Sequence, residues 1–190
     1  MSASIRSSPP PTPGMQQRPS ACGKNRNAGS DHLIRNRRHS MFKYAITSEP
    51  VEIHAPIDTV WDILADVDRY CEWNPFARTY TQTDVRVGSF VDFDVKLGRY
   101  DRKQTERFEE VEPPTLLSWS TKIGNELLLK ALREQRLEKR SETRCSYFNT
   151  DTLEGPLAPL AILLFGRAMR RGFEDVGRAL KRTAEERYRG

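Results

Sequence analysis

The 190-residue chain has few of the residues that several classes of functional site require. Its three cysteines, Cys22, Cys71 and Cys145, have unrelated spacings, which argues against a disulfide framework and against a CxxC metal site. The three histidines form no HxxxH or HExxH pair, so we expect no bound metal and no prosthetic group. No nucleophile–base pair, oxyanion motif or glycine-rich phosphate loop is visible.

Long apolar runs are also missing. The longest, LAILLF at Leu160–Phe165, is far shorter than the ~18–20 residues that span a bilayer, and no signal-peptide core follows Met1. We therefore expect no transmembrane segment. The odd cysteine count favours a reducing compartment and hence a cytoplasmic location. The oligomeric state stays open.

The net charge of +5 is unevenly distributed along the chain. Residues 1–40 hold seven Lys and Arg and one acidic residue, a net of +6, so residues 41–190 hold 24 basic and 25 acidic residues, a net of −1. The basic character therefore belongs to the N-terminal segment. For the folded part we expect no nucleic-acid partner.

Residues 1–40 also differ in composition, with five prolines, seven serines and almost no large apolar side chain. Such a segment is expected to be disordered and dispensable for folding. Three interpretations stay open: a leader upstream of a true start at Met41, a basic extension, or a transit peptide for an organelle. We expect one folded domain over residues 41–190.

The first part of this domain predicts a strand and two short helices. YAITSEPVEI, from Tyr44, has the composition of a strand, with Pro50 favouring an edge or bulge. The segment HAPIDTVWDILADVDRY then spaces its apolar residues at helical intervals. A second helical turn should hold Tyr70 and Trp73 and end before Pro75.

The remainder predicts a meander of strands and a long helix. Six strand candidates joined by short turns, beginning with ARTYTQTDVR, indicate antiparallel pairing. From about Leu157 to Arg187, apolar residues recur at helical spacing. Three glycines inside this helix either permit close approach of a neighbour or are tolerated weak points: Gly166, Gly172 and Gly177.

This order of elements resembles the helix-grip fold of the START-like superfamily, also called SRPBCC. The resemblance lies in APIDTVWDILADVDRYCEWNPF, EEVEPPTLLSW and TRCSYFNTDTLEGPLAPL, and covers about residues 44–185. The WNPF form resembles a bacterial subgroup described as polyketide cyclase/dehydrase-like or lipid-transport-like. The resemblance implies an α+β fold: a curved antiparallel sheet of about seven strands wraps around the C-terminal helix, with two short helices between strands 1 and 2.

The chain departs from the usual pattern of this superfamily on its last two strands. Arg133 and Gln135 stand where the penultimate strand often has a histidine followed by apolar residues. Asp151 and Leu153 stand where the last strand often carries a glutamate before its final aromatic residue. Both departures make the inner face of the sheet more polar.

A helix-grip fold implies a cavity between the sheet and the long helix, and strand parity predicts its wall. Apolar walls with a few polar groups are typical of small-molecule sites, although a slip of one residue in register would turn this set to solvent. The predicted ligand contacts are Tyr70, Trp73, Phe76, Phe93, Val95, Trp119, Arg133, Gln135, Tyr147, Asn149, Asp151, Phe165, Met169 and Phe173. Arg133 and Asp151 are expected to pair across adjacent strands.

The aromatic cluster of RYCEWNPF allows two interpretations. Tyr70, Trp73 and Phe76 either form a lid over the portal of the cavity or pack as ordinary core between the short helices and the sheet.

We expect non-covalent binding or transport of a small hydrophobic or amphipathic molecule, lipid-like or polyketide-like. The alternative is a cyclase or dehydratase that uses a carboxylate and a tyrosine in the cavity, with Asp151, Tyr147 and Glu106 as weak candidates. A third possibility is a chaperone-like interaction module. The fold alone does not decide between these functions.

Overall fold

The computed structural model of the protein describes residues 42–79, 82–97, 99–124 and 128–190. The expectations for residues 1–40 and for Met41 therefore lie outside the described residues. No helix within the described ranges is long and apolar enough to cross a bilayer.

Two short helices follow the first strands, as predicted. Helix α1 is Ile57–Ala65, a single 3₁₀ turn covers Val67–Arg69, and α2 is Tyr70–Trp73. The oxygen Oδ1 of Asn74 then accepts hydrogen bonds from the backbone amides of Phe76 and Ala77, both at 2.9 Å. With Pro75 excluding further helix, these bonds turn the chain sharply toward the sheet.

The strands of the described residues are β1 Lys43–Thr47, β2 Val51–Ile53, β3 Ala77–Arg78, β4 Phe90–Leu97, β5 Tyr100–Glu112, β6 Leu116–Ile123, β7 Leu129–Ser141 and β8 Arg144–Glu154. These eight form one open antiparallel sheet in the order β1-β8-β7-β6-β5-β4-β3, with β2 also pairing with β8.

Two strands differ from the sequence prediction. The predicted first strand is divided at Ser48–Pro50 into β1 and β2, and both halves pair with β8. The predicted second strand was too long, since only Ala77–Arg78 pair with β4. Beyond it the backbone amide of Thr83 bonds to the carboxylate of Asp68 at 2.7 Å. Side chains thus satisfy backbone groups that a strand would have paired.

Helix α3, Ala158–Arg189, lies against the concave face of the sheet. It contacts β1, β2 and β8 near one edge and β4 near the other, so the sheet curves around it. The turn before it depends on Gly155, whose φ of +123° is unfavourable for residues with a side chain. The result is the expected α+β helix-grip fold.

The three glycines inside α3 are not equivalent. A Cβ at Gly172 would overlap the ring of Phe76, and one at Gly177 would lie 2.9 Å from Cγ2 of Val51. A Cβ at Gly166 would meet its nearest neighbour, Ile162, at an ordinary 3.5 Å. Gly172 and Gly177 therefore permit close packing, whereas Gly166 has room for a methyl group.

This difference predicts opposite effects of alanine at two positions of one helix. Gly166→Ala should raise the free energy of unfolding by up to about 1 kcal/mol, because alanine favours the helix. Gly172→Ala should lower it by about 1–3 kcal/mol, because the buried Phe76 ring has to move. Urea unfolding of both variants measures this, and shifts of the same sign would contradict the packing described.

Candidate functional site

A cavity of about 380 Å³ lies between the inner face of the sheet and the first half of α3. Most of its wall is apolar, and the polar residues come mainly from β5, β7 and β8. The lining residues are Phe76, Val95, Tyr100, Arg102, Gln104, Glu106, Thr121, Leu129, Ala131, Arg133, Asp151, Leu153, Leu157, Leu160, Ala161, Leu164, Phe165 and Met169.

One end of the cavity is closed by a buried ion pair. Arg133 on β7 and Asp151 on β8 are direct cross-strand neighbours, and Nη2 of Arg133 donates to Oδ2 of Asp151 at 3.2 Å. The two residues are 8% and 4% exposed. The pairing expected from strand parity is therefore confirmed.

The guanidinium of Arg133 contacts two aromatic rings, Phe76 and Phe173, which also pack edge to face against each other. Its Cζ lies 4.8 Å from the ring centre of Phe76 and 4.5 Å from that of Phe173. Cation–π contacts of this kind strengthen when water is excluded. The buried charge is thus compensated by a carboxylate and by two ring faces.

A second carboxyl group, Glu106 on β5, lies at the same closed end of the cavity and is 3% exposed. Burial raises its pKa to about 7, with the nearby charge of Asp151 adding to the rise and that of Arg133 opposing it. The side-chain amide of Gln104 donates a hydrogen bond to Oε1 of Glu106. Near neutral pH this group can therefore gain or lose a proton.

Strand β5 carries a row of polar side chains from the mouth to the closed end of the cavity. Tyr100, Arg102, Gln104 and Glu106 alternate along the strand and all line the cavity, with exposure decreasing from Tyr100 to Glu106. Among the described residues, no carboxylate lies within ion-pair distance of Arg102. The row offers a ligand several hydrogen-bonding groups along one wall.

The structure brings about half of the predicted ligand contacts to the cavity. Six of the predicted ligand contacts line the cavity: Phe76, Val95, Arg133, Asp151, Phe165 and Met169. The weak catalytic candidate Glu106 lines it as well. Eight do not line it: Tyr70, Trp73, Phe93, Trp119, Gln135, Tyr147, Asn149 and Phe173.

Three of those eight residues, Tyr70, Trp73 and Phe173, lie on α2 and α3. The other five, on β4, β6, β7 and β8, lie where the strands extend beyond the cavity and the space between sheet and helix is filled. The Tyr147 hydroxyl, for example, donates to Oε1 of Gln135 at 2.8 Å, and both residues are fully enclosed. Burial raises the pKa of Tyr147 far above its ordinary value. This tyrosine therefore does not reach the cavity.

The described contacts of the aromatic cluster of RYCEWNPF are those of core packing, and no contact places a ring over the mouth of the cavity. Tyr70 is core: its hydroxyl donates to the Leu64 carbonyl at 2.6 Å, and its ring stacks on Phe93 at 6.0 Å. Trp73 packs edge-on against Tyr70 and does not line the cavity. Phe76 alone of the three is at the cavity, where it covers Arg133.

The residues that sequence reasoning missed lie mostly on β5 and on the first turns of α3. Because alternate residues of a strand share a face, the positions two, four and six residues before Glu106 would have identified Gln104, Arg102 and Tyr100. The helix positions had no such signal, because Leu160 and Leu164 lie outside the apolar stripe that packs on the sheet. Within the described ranges, no group of three or more His, Cys, Asp or Glu could hold a metal ion.

The ion pair predicts strong non-additivity in a double-mutant cycle of Arg133→Met and Asp151→Leu. Each single change leaves a buried polar or charged partner behind, whereas the double change leaves neither. The double variant should lose less unfolding free energy than the two singles together, by about 1–3 kcal/mol.

The matched control is the exposed pair Arg69–Glu72, bonded through Nε–Oε1 at 2.9 Å and Nη2–Oε2 at 2.7 Å, whose cycle should show a coupling of at most about 0.5 kcal/mol. Additivity at Arg133 and Asp151 within about 0.5 kcal/mol would mean that the two residues do not interact.

Comparison with known proteins agrees with this architecture. No curated protein gives a significant match to the sequence. The aromatase/cyclase Zhui from Streptomyces sp. R1128 superposes with a TM-score of 0.66 at 17% identity, over 77% of this chain and 96% of that one. A START superfamily protein from Mycobacterium smegmatis gives a TM-score of 0.56 at 16% identity, over 75% and 97%.

Norcoclaurine synthase from Thalictrum flavum, in complex with dopamine and hydroxybenzaldehyde, gives a TM-score of 0.58 at 14% identity, over 87% of this chain and 98% of that one. At these identities the structural similarity establishes the fold. The sequence itself matches, over residues 44–185, the family described as Polyketide cyclase / dehydrase and lipid transport. The chain therefore belongs to this family of the START-like superfamily.

Proposed function

We propose that the chain binds a small, mostly apolar molecule non-covalently in the cavity between the sheet and α3. The observation that carries this proposal is an apolar cavity with buried charged side chains at its closed end. Its volume of about 380 Å³ falls in the range of small-molecule sites. Folded proteins keep few voids of this size, because each unfilled volume costs packing energy.

The charges at the closed end favour a neutral polar group on the ligand. The guanidinium of Arg133 is already paired with Asp151, and Glu106 places a second carboxyl beside them. A ligand carboxylate would add a third acidic group to one arginine. A hydroxyl or carbonyl can instead bond to these side chains without adding charge.

Two buried polar atoms support the same conclusion. Nε of Arg133 and Oδ1 of Asp151 have no hydrogen-bond partner among the described residues. One is a donor and the other an acceptor, and buried groups of this kind normally have partners. A ligand hydroxyl at the closed end can act as both donor and acceptor, with a small adjustment of the two side chains.

The cavity can be closed with one substitution to test the proposal. Ala161→Trp should fill part of the cavity with its larger ring and weaken binding of the neutral dye Nile red at least about tenfold. Arg182→Trp, at an exposed position of the same helix, is the control and should bind like the wild type. Fluorescence titration measures both, and equal affinities would show that the dye does not enter this cavity.

The same assay tests the preference for a neutral polar group. At pH 8, decan-1-ol should displace Nile red at lower concentration than decanoate, because ionised Glu106 repels the carboxylate. Displacement of Nile red by decanoate at lower concentration than by decan-1-ol would contradict the proposal that the closed end favours a neutral polar group.

A second candidate function, acid–base catalysis on the bound molecule, rests on Glu106. A carboxyl group with a pKa of about 7 in an apolar cavity is suited to protonate a leaving hydroxyl or remove a proton near pH 7. If a ligand co-purifies, its mass or NMR spectrum should change over time with the wild type, by loss of water or by isomerisation, and stay constant with Glu106→Gln. A constant mass and spectrum with both proteins would leave binding as the function.

The raised pKa of Glu106 also predicts how stability depends on pH. Between pH 4.5, the ordinary pKa of glutamate, and about 7, the folded chain holds a proton on Glu106 that the unfolded chain has lost. Glu106 therefore makes its full contribution to the free energy of unfolding below pH 4.5, and this contribution is lost as pH rises through 7. Relative to Glu106→Gln, the wild type should lose on the order of 3 kcal/mol over this window. Urea unfolding of both proteins across this pH range measures it, and parallel curves would contradict the assignment.

A further inference from the structure

The mouth of the cavity is bordered by leucines that face solvent. Leu160, Leu163 and Leu164, in the first two turns of α3, are 51%, 80% and 62% exposed. Leu160 and Leu164 also line the cavity, so this surface is continuous with its interior. A contiguous exposed apolar patch on a folded domain is typical of a surface that contacts a protein, a membrane or a ligand.

Basic residues follow the leucines along the same side of the helix. Leu163, Arg167 and Arg170 are spaced by four and three residues, which places them in one exposed stripe, and Arg171 lies beside it. No acidic residue occurs between Gly155 and Glu174. Among the described residues, these three arginines have no carboxylate within ion-pair distance.

We propose that this leucine–arginine surface, formed by Leu160, Leu163, Leu164, Arg167, Arg170 and Arg171, docks on an anionic lipid bilayer. Leucines at the tip of a helix can enter the boundary between headgroups and acyl chains. Arginines one to two turns further along the helix then lie near the level of the lipid phosphates, to which they bind favourably. The cavity mouth would face the bilayer in this orientation.

Charge argues against two other occupants of this surface. Residues 1–40 carry a net charge of +6 and almost no large apolar side chain, so they complement neither the arginines nor the leucines. A second copy of the chain, related by a two-fold axis, would bring two sets of three arginines close together. An anionic bilayer complements both halves of the surface.

The consequence for ligand exchange rests on the proposed function. A poorly soluble molecule could pass from the bilayer into the cavity past Leu160 and Leu164 without crossing water. Binding to vesicles, however, depends on the surface alone. The proposal of a docking surface can therefore be wrong while the proposal of a ligand cavity is right, and the reverse.

The test is sedimentation of the full chain with vesicles of phosphatidylcholine, with and without phosphatidylglycerol. The wild type should bind the anionic vesicles much more tightly, and added salt should weaken binding. Leu163→Gln should reduce the affinity about tenfold, because a side chain that is 80% exposed in solution loses its apolar burial in the bilayer. Arg167→Gln and Arg170→Gln should each reduce it about fivefold.

Matched controls separate the contribution of the leucine–arginine surface to vesicle binding from that of the basic N-terminal segment, which is present in every variant. Phe90→Gln, an exposed apolar residue on β4, and Arg182→Gln, an exposed residue near the other end of α3, should bind vesicles like the wild type. Leu163→Gln should keep its affinity for Nile red, and Ala161→Trp should keep its affinity for vesicles. Equal binding to both vesicle types, no binding to either, or wild-type binding by Leu163→Gln would overturn the proposal.

Discussion

The buried ion pair between Arg133 and Asp151 connects the main parts of the fold. It joins β7 to β8, and its guanidinium contacts a ring from α3, Phe173, and a ring from the chain entering β3, Phe76. Removing two charges from water costs several kcal/mol, so such a pair persists only where its surroundings compensate it. Here a carboxylate and two aromatic faces provide that compensation.

The space between sheet and helix is divided into a filled half and a hollow half. In the filled half, the rings of Tyr70, Phe93 and Trp119 contact one another with centre distances of 5.3–6.5 Å. In the hollow half, short side chains such as Ala131 and Ala161 line the wall and leave the cavity open. The ion pair lies where the two halves meet. Side-chain size, more than backbone course, therefore decides where a ligand can bind.

Regular patterns made much of the fold predictable from sequence. The helical spacing of Ile162, Phe165 and Met169 predicted α3, and alternation along β7 and β8 predicted the pairing of Arg133 with Asp151. The limits of the cavity were not predictable in this way. Parity assigns Tyr147 and Asp151 to the same face, and only three-dimensional packing decides that one is enclosed and the other lines the cavity.

Local chemistry explains the other differences between sequence and structure. Beyond the short β3, the carboxylate of Asp68 accepts a hydrogen bond from the backbone amide of Thr83, an arrangement without a periodic signal. The exposed leucines of α3 belong to the apolar run LAILLF, whose composition is typical of a buried helix and gave no sign of their exposure. Their exposure depends on where the helix meets the sheet, which periodicity does not specify.

The central claim is that the cavity between the sheet and α3 holds a small molecule with a polar group at its closed end. Native mass spectrometry of the purified full chain tests this claim most directly. We predict a co-purified compound with a hydroxyl or carbonyl group on a mostly apolar skeleton, absent from Ala161→Trp purified in the same way. The same mass retained by the wild type and by Ala161→Trp would contradict the account.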